Sequence, residues 1–163
     1  MSYTLSSIEE AIHNLESDDI DVRTSANSFI YQWTLSSEFV STCLLIISNS
    51  DDIHAKHVSY LAFYRAMIEH WNNLPNEFQL HIRNYFVQQA FNDELSPYLL
   101  SINNRIISII ALYDFPQKWE SFIIDILFQE ESMPYLFIKN MNILAQFIEE
   151  MQICIFLTSD RLL

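Results

Sequence analysis

The amino-acid sequence predicts an all-α protein built from stacked helical hairpins. Its 163 residues include no glycine, the residue that the tight turns of β-hairpins favour. In several segments apolar residues recur at steps of three and four, which is the spacing of one helix face. Proline and short polar stretches divide these segments so that the helices fall into pairs. A single hairpin leaves apolar surface uncovered, so pairs of this kind are expected to stack on one another.

The clearest hairpin is expected between residues 96 and 128. Ser96 and Pro97 form a helix start signal. The apolar stripe that follows comprises Leu99, Ile102, Ile106, Ile109 and Tyr113. Pro116 lacks an amide proton and disfavours helix in the residue before it, so a break is predicted at 114–116. The apolar residues of the second helix are Trp119, Phe122, Ile123, Ile126 and Leu127.

Further helices are predicted on both sides of this hairpin. The first covers about residues 4–16, where Ser6 and Glu9 have the spacing of a capping box. Others are expected at about 21–35, 36–49 and 52–71, followed by a helix at 76–91 that Pro75 starts. The 52–71 helix is predicted to bury Val58, Leu61, Tyr64, Ile68 and Trp71. The 76–91 helix has apolar residues on opposite sides, so both sides are expected to be covered, and a last helix starts at 132–134.

These helices form a repeat. Trp33, Trp71 and Tyr113 close the first helix of successive pairs and lie 38 and 42 residues apart. That period is close to the roughly 40–47 residues of HEAT and armadillo repeats. The complete pairs cover residues 20–49, 51–91 and 96–129. The expected architecture is a right-handed α-α superhelix of about three and a half repeats, the leading piece of a longer solenoid.

Composition and charge exclude several classes of function. Without glycine the chain cannot form a P-loop, a dinucleotide-binding turn or a G-x-S-x-G nucleophile elbow, and we predict no catalytic residue and no cofactor. The formal net charge of −13, with no basic cluster, argues against direct binding to nucleic acid. The apolar runs fall short of the ~20 residues that span a bilayer, and the N-terminus lacks a secretory signal, so a soluble intracellular protein is expected.

The cysteines and histidines are interpreted as structural residues. Cys43 and Cys154 lie in apolar helical segments and are expected to be reduced core residues. His54 and His57 have a spacing that could bring both imidazoles to one metal ion. No further histidine or cysteine lies near them in the sequence, so we read them as solvent-facing or helix-start residues and predict no metal site.

Two segments resemble a known family. Residues 70–87, HWNNLPNEFQLHIRNYFV, are similar to the W-x-x-L-P-x-E and I-R-x-x-V segment of the importin-β N-terminal domain. Residues 106–127, which include Phe115, Pro116 and Trp119, resemble the aromatic-proline-tryptophan region of the exportin-1-like domain that follows it. The resemblance implies importin-β N-terminal-like HEAT repeats at 1–92 and the start of an exportin-1-like HEAT region at 93–163.

The resemblance also implies partners. A nuclear transport receptor of this family binds the small GTPase Ran in its GTP form, carries a cargo protein, and passes the Phe-Gly repeats of nucleoporins as it shuttles between nucleus and cytoplasm. In the family, the first repeats contribute to the Ran site mainly through their second helices. Second-helix residues away from the core stripe are therefore the Ran-binding candidates, and the alternative for each is an ordinary solvated face: Glu38, Ser41, Thr42, Asn76, Arg83, Asn84, Gln88, Lys118, Ser121, Asp125 and Gln129.

The segment at 106–127 favours the exportin branch, in which GTP-loaded Ran promotes cargo binding. In an importin of the same family GTP-loaded Ran has the opposite effect on cargo binding and releases the cargo. A different class of protein is the second alternative, namely a HEAT scaffold unrelated to transport, such as a phosphatase or cytoskeletal adaptor subunit. Binding that depends on the nucleotide of Ran distinguishes the receptor from the scaffold.

Overall fold

The computed structural model describes residues 3–127 and 134–159. These residues form eight α-helices and no strand, which confirms the predicted all-α class of helical repeats. The helices are α1 (Leu5–Asn14), α2 (Ile20–Thr34), α3 (Phe39–Asn49), α4 (Ile53–His70), α5 (Asn76–Ala90), α6 (Pro97–Asp114), α7 (Phe122–Leu127) and α8 (Pro134–Ser159). Along the chain they follow the predicted pairing: α2 with α3, α4 with α5, and α6 with α7. No described helix combines the length and the apolar character needed to cross a bilayer.

The chain divides into two compact units, and the first covers Met1–Ala66. Here α1 packs against α2 and α3. The predicted capping box at Ser6 and Glu9 is wrong, because α1 begins earlier, after Thr4. Thr4 and Ser7 have the same three-residue spacing, and each side chain accepts a hydrogen bond from the backbone N–H of the other. The Glu9 carboxylate instead accepts a hydrogen bond from the Ser50 hydroxyl.

Cys43 is a core residue of this unit, as predicted. Its side chain is fully buried, and its thiol donates a hydrogen bond to the Ser59 carbonyl oxygen at 3.1 Å. Burial raises the pKa of the Cys43 thiol well above its ordinary value, because the thiolate would lose its hydration. The side chain of Cys154 lies outside the described residues.

The buried face of α4 differs from the predicted stripe. Leu61 and Ile68 are 40% and 42% exposed, although Trp71, which follows the helix, is buried as expected. The residues that α4 buries are Ala55, Ser59, Tyr60, Phe63, Ala66 and Met67. Because α4 carries apolar side chains around much of its circumference, periodicity alone does not identify the face on which small residues permit close packing.

The second unit covers Met67–Leu163, and α6 is its central helix, packed against α5 and α8. Ser96 accepts a hydrogen bond from the backbone N–H of Leu99, and Pro97 occupies the first turn, as the start signal predicts. The stripe from Leu99 to Ile109 is buried, but Ile107 and Ile110 are buried as well, because α6 is covered on more than one side. Tyr113, the last residue of the predicted stripe, is 38% exposed, and its hydroxyl donates to the Ile68 carbonyl oxygen at 2.5 Å.

Two further expectations for this unit are corrected. On α5, Ile82 and Phe86 are fully buried, whereas on the opposite side Leu80 is 47% exposed and Val87 is half-buried, so the second side is covered only in part. The helix after the proline break begins at Phe122, so Trp119 precedes it rather than lying on it. Trp119 is nevertheless buried.

Candidate partner-binding surface

The candidate surface is built where α6 ends, within the second unit. Pro116 stops the helix after Asp114, and the chain turns back sharply. The Asp114 carbonyl oxygen accepts hydrogen bonds from the backbone N–H groups of Lys118 at 2.6 Å and Trp119 at 2.9 Å. This turn brings Lys118 and Trp119 against Arg83 of α5.

The buried carboxylate of Asp114 is the anchor of the surface. One of its oxygens accepts a hydrogen bond from the Trp71 indole N–H at 2.8 Å. The other lies 3.8 Å from Nη1 of Arg83. Trp71 belongs to the segment that resembles the importin-β N-terminal domain, and Asp114 to the segment that resembles the exportin-1-like domain. The two motifs found in the sequence are therefore in direct contact.

Arg83 is held by three neighbours. Its guanidinium carbon lies 4.8 Å from the centre of the Trp119 ring, within the range of a cation–π interaction. Nη1 donates a hydrogen bond to the Lys118 carbonyl oxygen at 3.3 Å and forms the ion pair with Asp114. The side chain is 18% exposed, so the guanidinium is fixed in place but still reaches the surface.

Gln79 joins the same group from the buried side of α5. Its amide nitrogen donates to the Trp71 carbonyl oxygen at 2.6 Å, and its amide oxygen accepts from Lys118 Nζ at 3.3 Å. A hollow of about 340 Å³, which we call the Arg83–Lys118 hollow, is lined by Asn76, Gln79, Leu80, Arg83, Asp114 and Lys118. A second hollow of about 340 Å³, the Trp119 hollow, is lined by Arg83, Lys118, Trp119, Glu120, Ser121 and Ile124.

Asp125 fixes the start of α7. Its carboxylate accepts hydrogen bonds from the Trp119 indole N–H at 2.7 Å and from the Ser121 hydroxyl at 2.8 Å. The Trp119 ring, which lies against the Arg83 guanidinium, is thereby oriented by a second acidic residue.

The structure brings five of the Ran-binding candidates into this one region. Asn76, Arg83 and Lys118 line the first hollow, Ser121 lines the second, and Asp125 bonds to Ser121. The α5 candidates that line neither hollow are Asn84 and Gln88, and both are exposed. Gln129 lies outside the described residues.

The remaining candidates belong to the first unit. Glu38, immediately before α3, and Ser41 are exposed. Thr42 is half-buried, and its hydroxyl oxygen accepts a hydrogen bond from the Trp33 indole N–H at 2.7 Å. Thr42 therefore has a structural partner within the chain, and its contact with Ran stays a prediction.

Sequence reasoning missed the residues that support the two cations, namely Asp114 and the Trp119 indole beside Arg83, and Gln79 beside Lys118. A signal for Asp114 was present in the sequence. Trp71 and Tyr113 close the first helices of neighbouring pairs, and Asp114 directly follows Tyr113, so the repeat brings Trp71 and Asp114 to corresponding helix ends. Gln79 had no such signal, because a glutamine on a helix is normally solvated.

Within 3–127 and 134–159, no three histidine, cysteine or acidic side chains are grouped so as to hold a metal ion. Burial raises the pKa of Tyr85 on α5 from 10.0 to about 12, so its hydroxyl is neutral at physiological pH.

Comparison with protein families gives an independent result. Residues 26–91 match the family model of the importin-beta N-terminal domain. The matched segment runs from Ala26 on α2 to Phe91, immediately after α5, and contains both Trp71 and Arg83. No curated protein matches the chain. The match identifies an importin-beta N-terminal domain over less than half of the chain and leaves the exportin branch a prediction.

Proposed function

We propose that this chain is the N-terminal part of an exportin that binds Ran in its GTP form. The observation that carries the proposal is the contact between Trp71 and Asp114. It joins a segment that matches the importin-beta N-terminal domain to a segment that resembles the exportin-1-like domain. The same contact orients Arg83 and the turn at 115–119, the region of five of the eleven candidates for Ran binding.

The mechanism is thermodynamic linkage between two binding events. GTP-loaded Ran binds the repeats described here, and cargo binds elsewhere on the complete receptor. Each ligand raises the affinity for the other by the same factor, so hydrolysis of GTP releases both. The receptor shuttles between nucleus and cytoplasm and passes the Phe-Gly repeats of nucleoporins. In this proposal residues 1–92 form the importin-β N-terminal-like repeats and residues 93–163 begin the exportin-1-like region.

The proposed Ran-binding surface is centred on Arg83 and Lys118. Both cations line the Arg83–Lys118 hollow, and Arg83 is already ordered by its neighbours. Ordered side chains favour binding because less conformational entropy is lost in the complex. Ser121, Asn84 and Gln88 extend this surface along α5 and the turn before α7.

The experiment is a binding measurement with the immobilised chain and Ran loaded with either GTP or GDP. The proposal predicts binding of the GTP form and an affinity for the GDP form that is weaker by about tenfold or more, equivalent to about 1.4 kcal/mol. Arg83→Ala is expected to weaken the GTP-dependent binding, whereas Arg65→Ala, a change at an exposed arginine outside the hollow, is a matched control. Equal binding of the two forms, or no binding of either, would support a scaffold unrelated to transport.

The export direction needs a separate measurement. Cargo bound to the complete receptor should be captured more strongly when GTP-loaded Ran is present. Release of cargo by GTP-loaded Ran would instead identify an importin.

A further inference from the structure

The Arg83–Lys118 hollow concentrates positive charge on an acidic chain. Lysine and arginine together number eight among the 163 residues, and the formal net charge is −13. Two of those cations line the hollow, and Asp114 is the one acidic residue among its lining side chains. The same two cations line the Trp119 hollow, again with one acidic residue, Glu120. The Arg83–Lys118 hollow taken alone therefore has a formal excess of one positive charge, and over both hollows, which share the two cations, the formal charge is zero.

The guanidinium of Arg83 is presented in a fixed orientation. Asp114 and the Lys118 carbonyl oxygen both engage Nη1, and the Trp119 ring lies against the guanidinium. Asp114 is fixed in turn by the Trp71 indole N–H, and Trp119 by Asp125. An anion that enters the hollow meets an ordered donor and does not have to restrict a freely rotating arginine.

Both cations keep donors that the chain does not use. Within the described part of the chain, every recorded polar contact of Arg83 is made through Nη1, so Nε and Nη2 remain available. Lys118 Nζ donates to Gln79 and carries two further hydrogens. Two side chains that could compete as acceptors already have partners, since the Asp114 oxygens contact Trp71 and Arg83 and the Gln79 amide oxygen contacts Lys118. The hollow therefore provides unused hydrogen-bond donors from Arg83 and Lys118, and the ligand that it fits is a hydrogen-bond acceptor.

A single carboxylate fits this arrangement better than a polyanion does. The planar guanidinium forms paired hydrogen bonds to the two oxygens of a carboxylate. A nucleic-acid backbone would bring many negative charges toward a chain of net charge −13 and would be repelled beyond the hollow. One aspartate or glutamate side chain adds only one negative charge and places it in the Arg83–Lys118 hollow, whose lining residues have a positive formal charge.

We propose that the Arg83–Lys118 hollow is a carboxylate-binding subsite that receives one aspartate or glutamate side chain of a protein partner. The inference rests on the proposed function in one respect, the identity of that partner as GTP-loaded Ran. The carboxylate lies between Arg83 and Lys118 and accepts hydrogen bonds from both. The asparagine at position 76 and the exposed Leu80 complete the wall of the hollow.

The first arm of the test is charge reversal with GTP-loaded Ran. Lys118→Glu is expected to weaken binding by about tenfold or more, and Lys118→Met by about three- to fivefold, because the first change adds repulsion to the loss of attraction. Arg65→Glu, at an exposed arginine that does not line the hollow, is expected to change the affinity by less than about twofold. Single lysine substitutions at the acidic residues of Ran are then tested against Lys118→Glu, and one of them should restore binding by about tenfold.

The second arm uses the full chain without Ran. The probe is N-acetylglutamate N-methylamide, compared at constant ionic strength with its uncharged glutamine analogue. The indole N–H resonance of Trp119 should shift saturably with the glutamate probe and not with the glutamine probe. In Lys118→Glu the shift should disappear.

The outcomes separate the two claims. If the chain binds GTP-loaded Ran but Lys118→Glu binds equally well, the carboxylate subsite is wrong and the proposed function stands. If Ran does not bind but the glutamate probe shifts Trp119, the partner is wrong and the subsite stands. Equal responses to the glutamate and glutamine probes would overturn the subsite.

Discussion

Replacing Asp114 tests the contact that joins the two halves of the candidate surface. In Asp114→Ala the buried indole N–H of Trp71 loses its acceptor, which costs about 1–3 kcal/mol. Arg83 loses an ion pair of 3.8 Å at a partly exposed position, which adds up to about 1 kcal/mol. The sum is a loss of about 1–4 kcal/mol in the free energy of unfolding. At about 2–4 °C per kcal/mol for a chain of this size, the midpoint of thermal unfolding falls by about 2–16 °C.

The variant Asp114→Asn keeps a hydrogen-bond acceptor at this position but removes the negative charge of the carboxylate. The asparagine side chain keeps an oxygen for the Trp71 indole but replaces a hydrogen bond to a charged group by a neutral one, so a loss of about 1 kcal/mol is expected. Urea unfolding followed by tryptophan fluorescence measures both variants, with Glu120→Ala as the control. Glu120 is exposed, and its removal should change the free energy of unfolding by less than about 0.5 kcal/mol.

Two results would refute this reasoning. If Asp114→Ala were as stable as Glu120→Ala, the contact between Trp71 and Asp114 would contribute nothing to the folded state. If Asp114→Asn lost as much stability as Asp114→Ala, the charge rather than the hydrogen-bond acceptor would be the important property of Asp114.

Three further predictions concern other buried polar groups. Thr42→Val removes the acceptor of the Trp33 indole and should reduce the free energy of unfolding by about 1–2 kcal/mol in a urea titration, whereas Ser41→Ala should change it by less than about 0.5 kcal/mol. Arg105→Met removes the 2.9 Å ion pair of the buried Glu150 carboxylate, which Gln146 also contacts at 3.4 Å, and should reduce the free energy of unfolding by about 2–3 kcal/mol. Lys139→Met removes an ion pair with the exposed Asp93 and should reduce it by less than about 1 kcal/mol, so equal losses would contradict this distinction. Because burial raises the pKa of Cys43, its thiol stays protonated in the folded state while the unfolded chain ionises, so stability should fall as pH rises above about 9. Cys43→Ala in a Cys154→Ser background should flatten that decline relative to Cys154→Ser alone, and an unchanged slope would show that Cys43 does not cause it.

The helix pairs could be predicted from the sequence because their signals are local. Ser96, Pro97 and Pro116 restrict the backbone at the positions where α6 begins and ends, independently of what packs against it. The capping box of α1 was placed wrongly for a related reason. Two residue pairs have the three-residue spacing of a capping box, Thr4 with Ser7 and Ser6 with Glu9. The choice between the two pairs depends on the contact of Glu9 with Ser50, 41 residues away.

The buried faces were predicted less well because they depend on neighbouring helices. The predicted stripe of α6 is buried from Leu99 to Ile109. Ile107 and Ile110 are buried too, since α5 and α8 cover different sides of the helix. Apolar periodicity also misplaced Leu61 and Ile68 on the inner face of α4. No intrinsic property of these two residues distinguishes burial from exposure.

For the candidate surface, the sequence indicated the outward residues but not their support. Arg83 and Lys118 were nominated from helix geometry and family resemblance, and the structure places both on one hollow. Asp114 and Gln79 were missed because their roles are set by partners 43 and 39 residues away, Trp71 and Lys118. Contacts at that separation follow from how neighbouring pairs pack, which no single stretch of sequence specifies.

The most direct test of the proposed receptor is hydrogen exchange of the full chain, measured by mass spectrometry with Ran loaded with GTP and, separately, with GDP. If Ran binds as proposed, exchange becomes slower in peptides covering α5 and the turn at 115–121 when GTP-loaded Ran is added, with no such change for the GDP form. Identical protection by both forms, or protection confined to peptides outside these two segments, would contradict this prediction.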